Sequence, residues 1–340
     1  MSEQNKLTVS ASPHIKGAAT VTGIMLDVII ALIPAAFAGV AVFGVKAALV
    51  IAVCIISCVA FEALSRKIMK RHSTIGDLSA VVTGLLLAFN LPVDIPLWMC
   101  VVGSAVAIVV VKQFFGGIGQ NFANPAITAR IVLLVSFAGA MTSFSLPSSA
   151  AVDAVAGATP LAHLSAIDLN GNITLQLKHL IADGELPSLL HMFFGVRQGC
   201  IGEVCSVALI LGAVYLVARG IIKLSIPVFY IGTVAVFMLI VSGFNIYYTA
   251  YEILGGGLLL GAFFMATDYT TSPINKKGKI VFGIGCGLLT CIIRLYCSVP
   301  EGVSYSILLM NIACPLIEKL TSPRYFGFTK VKKVKEEKAV

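Results

Sequence analysis

Residues 24–43 read IMLDVIIALIPAAFAGVAVF, a run of twenty in which Asp27 is the one charged residue and Pro34 the one strong helix breaker. A helix rises about 1.5 Å per residue, so roughly 20 apolar residues match the hydrocarbon thickness of a bilayer. The run is long enough to cross and too uniformly apolar to lie on a surface. Nine more segments of the same character follow, at 46–64, 77–91, 95–112, 126–145, 200–218, 225–243, 249–266, 280–298 and 302–320. Two of them are interrupted, the third by Asn90-Leu91-Pro92 at its end and the eighth by Gly255-Gly256-Gly257. The fold class is therefore all-α, a polytopic membrane protein of about ten transmembrane helices.

Composition agrees. Of the 340 residues, 58% are hydrophobic and 12% charged, against roughly a quarter charged in soluble domains. Mean hydropathy is +0.97. The polar stretch before the first run lacks the short apolar core of a cleavable signal peptide, so that run is expected to stay as a span. None of the nine cysteines forms a CxxC pair, which argues against a zinc or disulfide framework and for small buried apolar residues. No iron–sulfur site is expected within the chain. No GxGxxG or P-loop is present, so nucleotides are handled elsewhere.

Basic residues mark the cytoplasmic side of a membrane protein. With ten spans and the N-terminus inside, cytoplasmic segments hold Lys6, Lys16, Arg66, Lys67, Lys70, Arg71, Lys112, Arg130, Arg219, Lys223, Lys276, Lys277, Lys279 and seven more from Lys319 to Lys338. That is twenty of the 24 Lys and Arg, leaving Lys46, Lys178, Arg197 and Arg294. Dropping or adding one span destroys the asymmetry. Both termini are thus expected in the cytoplasm of a bacterial cell, and the net charge of +8 needs no nucleic-acid partner; the basic tail is solvated or faces membrane lipid.

The divisions that follow are a cytoplasmic segment 1–23, five helices over 24–145, an extracytoplasmic loop 146–199, five helices over 200–320 and a basic tail 321–340. The two sets of five share patterns. Asn121-Phe-Ala-Asn-Pro125-Ala-Ile127 reads like Asn311-Ile-Ala-Cys-Pro315-Leu-Ile317, Gly84–Pro92 like Gly261–Tyr269, and Leu26-Asp27-Val28 like Gly202-Glu203-Val204. An odd number of spans per set makes the second inverted relative to the first, and inverted repeats place sites at the seam between halves, often at broken helices. Asp27 and Glu203 lie within apolar runs, where a carboxylate is costly; they are candidate ion-pathway residues or, equally, helix-packing hydrogen bonds. Glu62, Glu252 and Asp268 lie near span ends, and Asp77 is placed to cap the third span. His163, His179 and His191 lack metal-ligand spacing. Tyr247, Tyr248 and Tyr251 read as an interfacial aromatic belt.

The loop 146–199 contains Asp153-Ala-Val-Ala-Gly157-Ala158-Thr159-Pro160-Leu161. Here Gly157 and Ala158 leave one hydroxyl, that of Thr159, in a small-residue turn with Asp153 as a nearby acid. This string resembles the acceptor of bacterial flavin transferase: an acid, then Ser or Thr, then Gly-Ala-Thr. It departs from that pattern at Ala156. The strings FFGGIGQNFANPAITAR at 114–130, MATDYTTSP at 265–273 and PEGV at 300–303, with Asn311 and Pro315 beyond, resemble signatures of the family that unites the D subunit of the Rnf complex with NqrB. Position 269, Tyr here, is commonly Pro in that family; the short N-terminus is closer to the Rnf type.

The resemblance implies a membrane subunit of an ion-translocating ferredoxin:NAD oxidoreductase, a translocase in which electron flow drives Na⁺ or H⁺ transport. It further implies FMN joined to Thr159 as a phosphoester, with Asp153, Gly157 and Ala158 as its flanking site, and a second, non-covalent flavin, riboflavin. Implied partners are the other Rnf subunits, including iron–sulfur and second FMN-carrying ones, and a flavin transferase. A channel or transporter for a small solute is the alternative from another class; it leaves the flavin-acceptor string without a use.

Overall fold

The computed structural model describes residues 20–144, 159–167, 171–195, 197–297 and 301–323, and every regular element among them is helical. Helix α1 (Val21–Phe43) starts where the Thr20 hydroxyl accepts a hydrogen bond from Gly23 N–H at 3.1 Å. Gly44, at φ +74°, turns the chain directly into α2 (Val45–Ile68); a side chain is strained there. Helix α3 (Ser79–Phe89) is capped by Asp77, whose carboxylate accepts from Ser79 N–H at 2.9 Å, with Leu78 forced to φ +62° between them. Helix α4 (Leu97–Ala105) runs without a break into a π-helical stretch, Val106–Gln113. Asn124 caps α5 (Pro125–Ser136), accepting from Ala126 and Ile127 N–H, and Pro125 takes the first-turn position where its missing N–H costs nothing. A short α6 (Ala138–Met141) follows.

The second set has its own order of lengths. After α7 (Pro160–Ser165), α8 (Ile173–Ala182) and α9 (Leu189–Phe194) come α10 (Ser206–Ala218) and α11 (Ser225–Val241). Helix α12 (Ile246–Leu254) breaks at Gly255-Gly256-Gly257, and α13 (Leu258–Leu260) continues as a second π-helical stretch, Gly261–Met265, bent 62° from α12. Gly256 and Gly257 sit at φ +61° and +67°, which glycine adopts without a Cβ penalty. Two long helices close the described chain, α14 (Lys276–Tyr296) and α15 (Val303–Thr321).

Each of the ten apolar segments of the sequence contains helix among the described residues, but not all are alike. Helices α1, α2, α14 and α15 are long and apolar enough to cross a membrane, and the bent α12–α13 pair makes a fifth. Helices α3, α5 and α10 have 11, 12 and 13 residues, about 16 to 20 Å of rise, and end inside the fold. The buried C-terminal end of α3 and the buried N-terminal end of α5 are satisfied there, as they must be away from water. Beyond the end of α3, Phe89 C=O accepts from Gly202 N–H at 3.0 Å and Leu91 C=O from Ile201 N–H at 3.1 Å. That approach needs Gly202, since a Cβ would fall 2.2 Å from Phe89 Cβ. The halves also meet where α1 packs on α10; a Cβ on Gly212 would lie 2.1 Å from the Ala31 carbonyl oxygen.

Three sequence expectations change. The connection 146–199 is not one loop, because α7, α8 and α9 lie within it. The tyrosine belt reduces to Tyr247, which is 65% exposed; Tyr248 and Tyr251 are buried, the latter donating to Pro187 C=O at 2.9 Å. Lys112 and Arg130, counted among the cytoplasmic charges, are buried in ion pairs, so neither reports on which side of a membrane it lies.

Candidate functional site

Two polar features converge on the broken helix ends. The first is a cluster of three buried arginines. Arg130 of α5 donates to Asn90 Oδ1 at 3.2 Å and Ser304 Oγ at 2.9 Å, and pairs with Glu301. Arg294 of α14 binds Glu252 Oε2 at 2.9 Å, and the carbonyls of Glu252 at 2.6 Å and Gly255 at 3.1 Å. Arg197 donates to Leu254 C=O at 2.5 Å and to the Glu203 carbonyl. Guanidinium forks thus satisfy the carbonyls exposed where α12 stops, as buried backbone requires. Thiol and carboxylate atoms of Cys200, Glu203 and Glu301 lie within 4.8 Å of one another. Arg130 bonds both Cys200 and Glu301, so this group is a neutralised ion-pair cluster rather than a cation cage.

Thr159 lies beside it. It precedes α7 with extended backbone (φ −66°, ψ 153°), and its hydroxyl makes no capping hydrogen bond. Thr159 lines a recess with Arg197, Gln198, Glu203, Gly255, Gly256 and Glu301. It is 8% exposed, not presented on an open turn as the small-residue string suggests. Asp153, Gly157 and Ala158 lie outside the described residues.

The second feature is an apolar recess of about 100 Å³, open at its mouth, between α1, α3, the chain after α10 and the second π-helical stretch. Ile24, Met25, Leu216, Ile222 and Phe263 supply its walls, while Lys112, Asn121, Asn124, Asp268 and Thr270 bring polar groups to it. Burial pushes the Asp268 carboxyl up, and hydrogen bonds from Thr270 and Thr271 pull the other way. Tyr269 turns its hydroxyl onto Ile221 C=O, closing one side of the recess. Asn311 joins here: with its amide turned so that oxygen meets donor and nitrogen meets acceptor, it accepts from Asn124 N–H at 3.1 Å and donates to Thr271 C=O at 3.2 Å. So the two look-alike strings around Pro125 and Pro315 meet, although one proline begins a helix and the other sits inside α15.

A polar thread links recess and cluster. Asn124 donates to Met265 C=O at 3.4 Å, Asn90 reaches Met265 Sδ at 3.6 Å, and Asn90 accepts from Arg130. The two candidate ion-pathway acids are not brought together. Asp27 accepts from Tyr215 at 2.8 Å and Arg219 at 3.2 Å, whereas Glu203 accepts from Cys200 N–H at 3.0 Å. Tyr215 is twelve residues along the chain from Glu203, about 18 Å if all were helical. Sequence reasoning missed Lys112, Arg197 and Arg294 as site residues. For Lys112 and Arg294 the signal was present, since a lone cation in an apolar run is as costly as a lone acid and Glu62 and Glu252 were available partners; Arg197, in the connection 146–199, carried no such signal.

An arginine-lined seam of interrupted helices inside a multi-pass helical bundle defines a membrane protein whose broken helices build internal sites. Residues 8–327 match the NQR2, RnfD, RnfE family, and the chain belongs to it. It is 50% identical, over 98% of its length and 99% of the relative's, to the D subunit of the Na⁺-translocating ferredoxin:NAD⁺ oxidoreductase complex of Acetobacterium woodii. It is 44% identical to the D subunit of the proton-translocating ferredoxin:NAD⁺ oxidoreductase complex of Clostridium ljungdahlii, over 96% and 97% of the two chains. Identity is 36% to the D subunit of the ion-translocating oxidoreductase complex of Stutzerimonas stutzeri, over 91% and 92%.

Proposed function

We propose that this chain is the D subunit of an ion-translocating ferredoxin:NAD oxidoreductase complex in a bacterial cytoplasmic membrane. In this reading it carries FMN on Thr159 and a second, non-covalent flavin in the recess beside Asn124. The near full-length identity to two proteins so named carries the assignment to the complex. The flavin sites rest on the residues. Thr159 offers a hydroxyl that capping does not use, and Arg197 at the same recess supplies a cation for a phosphoester. Because Thr159 is so little exposed, esterification by a flavin transferase belongs before α7 packs on α12. The larger recess pairs apolar walls, suited to a ring system, with amide and carboxyl groups suited to a ring edge bearing both donors and acceptors.

A flavin held there supplies redox chemistry; the protein supplies position and field. Asn121, Asn124 and Asp268 orient a ring edge, and the apolar walls exclude water. The thread Asn124–Met265–Asn90–Arg130 fixes the spacing between recess and arginine cluster. The ten-span arrangement, both termini cytoplasmic, with 146–199 outside and inverted halves, belongs to the same proposal, as do partner subunits bearing iron–sulfur clusters and a second FMN. A passage for a small solute draws no support from the seam, which the described residues fill with ion pairs.

Intact mass tests the attachment. The chain co-expressed with a flavin transferase gains the mass of FMN less water, and Thr159→Ala does not. An unmodified wild-type chain overturns the attachment.

A further inference from the structure

The recess carries one charge that has no part in the flavin contacts proposed so far. Lys112 is 2% exposed and lines the recess together with Ser79. Its ammonium donates to Glu62 Oε2 at 2.8 Å and to Ser79 Oγ at 2.6 Å. Glu62, 0% exposed, lies behind it, away from the recess lining, and also accepts from Thr74 at 2.6 Å and Gln113 at 3.1 Å. The pair is therefore a buried dipole with its positive end toward the recess. An ammonium has three N–H donors, and these two partners account for two.

Three local features serve this placement. Lys112 and Gln113 close the π-helical stretch Val106–Gln113, and π-bulges concentrate at functional sites. The other π-helical stretch, Gly261–Met265, contributes Phe263 and Phe264 to the opposite wall of the same recess. Leu78, a non-glycine residue at φ +62°, is held between Asp77 and Ser79, a strained conformation of the kind found at ligand clamps.

We propose that Lys112 is a binding and specificity-determining residue of the recess, with its third N–H donating to an electron-rich, acceptor-bearing edge of the bound ring. Glu62 and Ser79 are positioning residues that aim the ammonium and keep the buried pair neutral. This rests on the proposed non-covalent flavin site. A ligand whose facing edge gains negative charge is held more tightly than one whose edge does not, so Lys112 also raises the reduction potential of a flavin bound there.

The test uses the full-length chain in its purified complex, with riboflavin as probe. Acid precipitation separates released flavin from flavin bound through Thr159. Removing Lys112 alone leaves Glu62 buried without a counter-charge and endangers folding, whereas replacing both partners by neutral residues of similar size is tolerated in buried pairs. The variant is Glu62→Gln with Lys112→Met. It is expected to melt with the wild type, to bind riboflavin at least about tenfold more weakly, the factor one charge-assisted hydrogen bond is worth, and to lower the midpoint potential of what remains bound. Wild-type affinity and potential in the folded double variant overturn the role of Lys112. If the double variant does not assemble, Lys112→Arg keeps the pair neutral but replaces the compact ammonium by a planar fork; weakened binding with a shifted potential supports the proposal, and unchanged values overturn it. A wild-type complex that releases no flavin and binds no riboflavin overturns the recess reading itself, and this inference with it.

Discussion

Arg294→Met attacks the join between the broken α12 and the long α14. The guanidinium makes four contacts: to Glu252 Oε2 at 2.9 Å, and to the carbonyls of Glu252 at 2.6 Å, Gly255 at 3.1 Å and Glu301 at 3.3 Å. Both partners of the ion pair are nearly sealed, at 2% and 4% side-chain exposure, so solvent screening does not discount the loss. Breaking one side of such a pair costs about 3–5 kcal/mol, because the remaining carboxylate is left buried and uncompensated. Glu252→Gln alone keeps an acceptor oxygen for Arg294 and costs less. The double variant, with no buried charge left, costs less than the sum of the two by more than about 1 kcal/mol, the scale of coupling between contacting residues. The molecule supplies its own assay. Cys286 and Cys291, on the same helix, are fully buried, and Cys297 is exposed. With Cys205, which is half-buried, and Cys297 both replaced by Ser, the remaining seven cysteines are buried, so a thiol-reactive dye reports opening of the helical bundle during a thermal melt. A single-variant cost below about 1 kcal/mol, the range of exposed pairs, or additive effects in the cycle would refute the claim that this pair closes the seam.

Gly212→Val places a branched side chain where a Cβ already falls 2.1 Å from the Ala31 carbonyl oxygen, and the α1–α10 contact is expected to weaken by about 1–3 kcal/mol or more, as overpacking does, read in the same dye melt. Asp27→Asn keeps an acceptor for Tyr215, and Arg219, its other partner, is 58% exposed; the variant is expected to assemble and melt as the wild type does, and a loss of ion-dependent turnover with normal assembly would put Asp27 in the ion path. A cysteine at Asp183 should react with a membrane-impermeant maleimide in intact cells, and one at Ser322 should not; the reverse pattern would overturn the proposed orientation.

The helical segments were legible because crossing a bilayer constrains length and hydropathy together, and no soluble constraint competes with that signal. Interruptions were legible too, since Asn90-Leu91-Pro92 and the three glycines at 255–257 break a run visibly. What the breaks do was not legible. That Phe89 and Leu91 carbonyls pair with the chain at 201–202 depends on contacts across more than a hundred residues, and hydropathy carries no information about such partners. The same limit misled the charge tally. Arg130 six residues after Asn124 looks like a cytoplasmic cation, and only the fold shows Glu301 and Ser304 waiting for it. Thr159 was found by its neighbours in sequence, yet its burial and its place beside Arg197 follow from α7 packing on α12, which no local string encodes.

Short helices explain why one seam holds both features. A helix that stops inside a membrane protein leaves carbonyls or N–H groups without partners, and in hydrocarbon each unsatisfied group costs several kcal/mol. The protein meets this demand in two ways. At the ends of α3 and α12, carbonyls accept from Gly202 and Ile201 N–H and from Arg197 and Arg294. At the start of α5, Asn124 takes the free N–H groups on its own side chain and donates onward to Met265. Each solution imports polar groups into a place where bulk water is excluded, and those groups then act on whatever sits beside them with little screening. The arginines beside Thr159 and the ammonium of Lys112 beside the apolar recess are in that position. The cost of breaking the helices and the field available to a bound cofactor therefore have one structural origin. Lengthening α3 through Asn90 and Pro92 to make a continuous span would remove both.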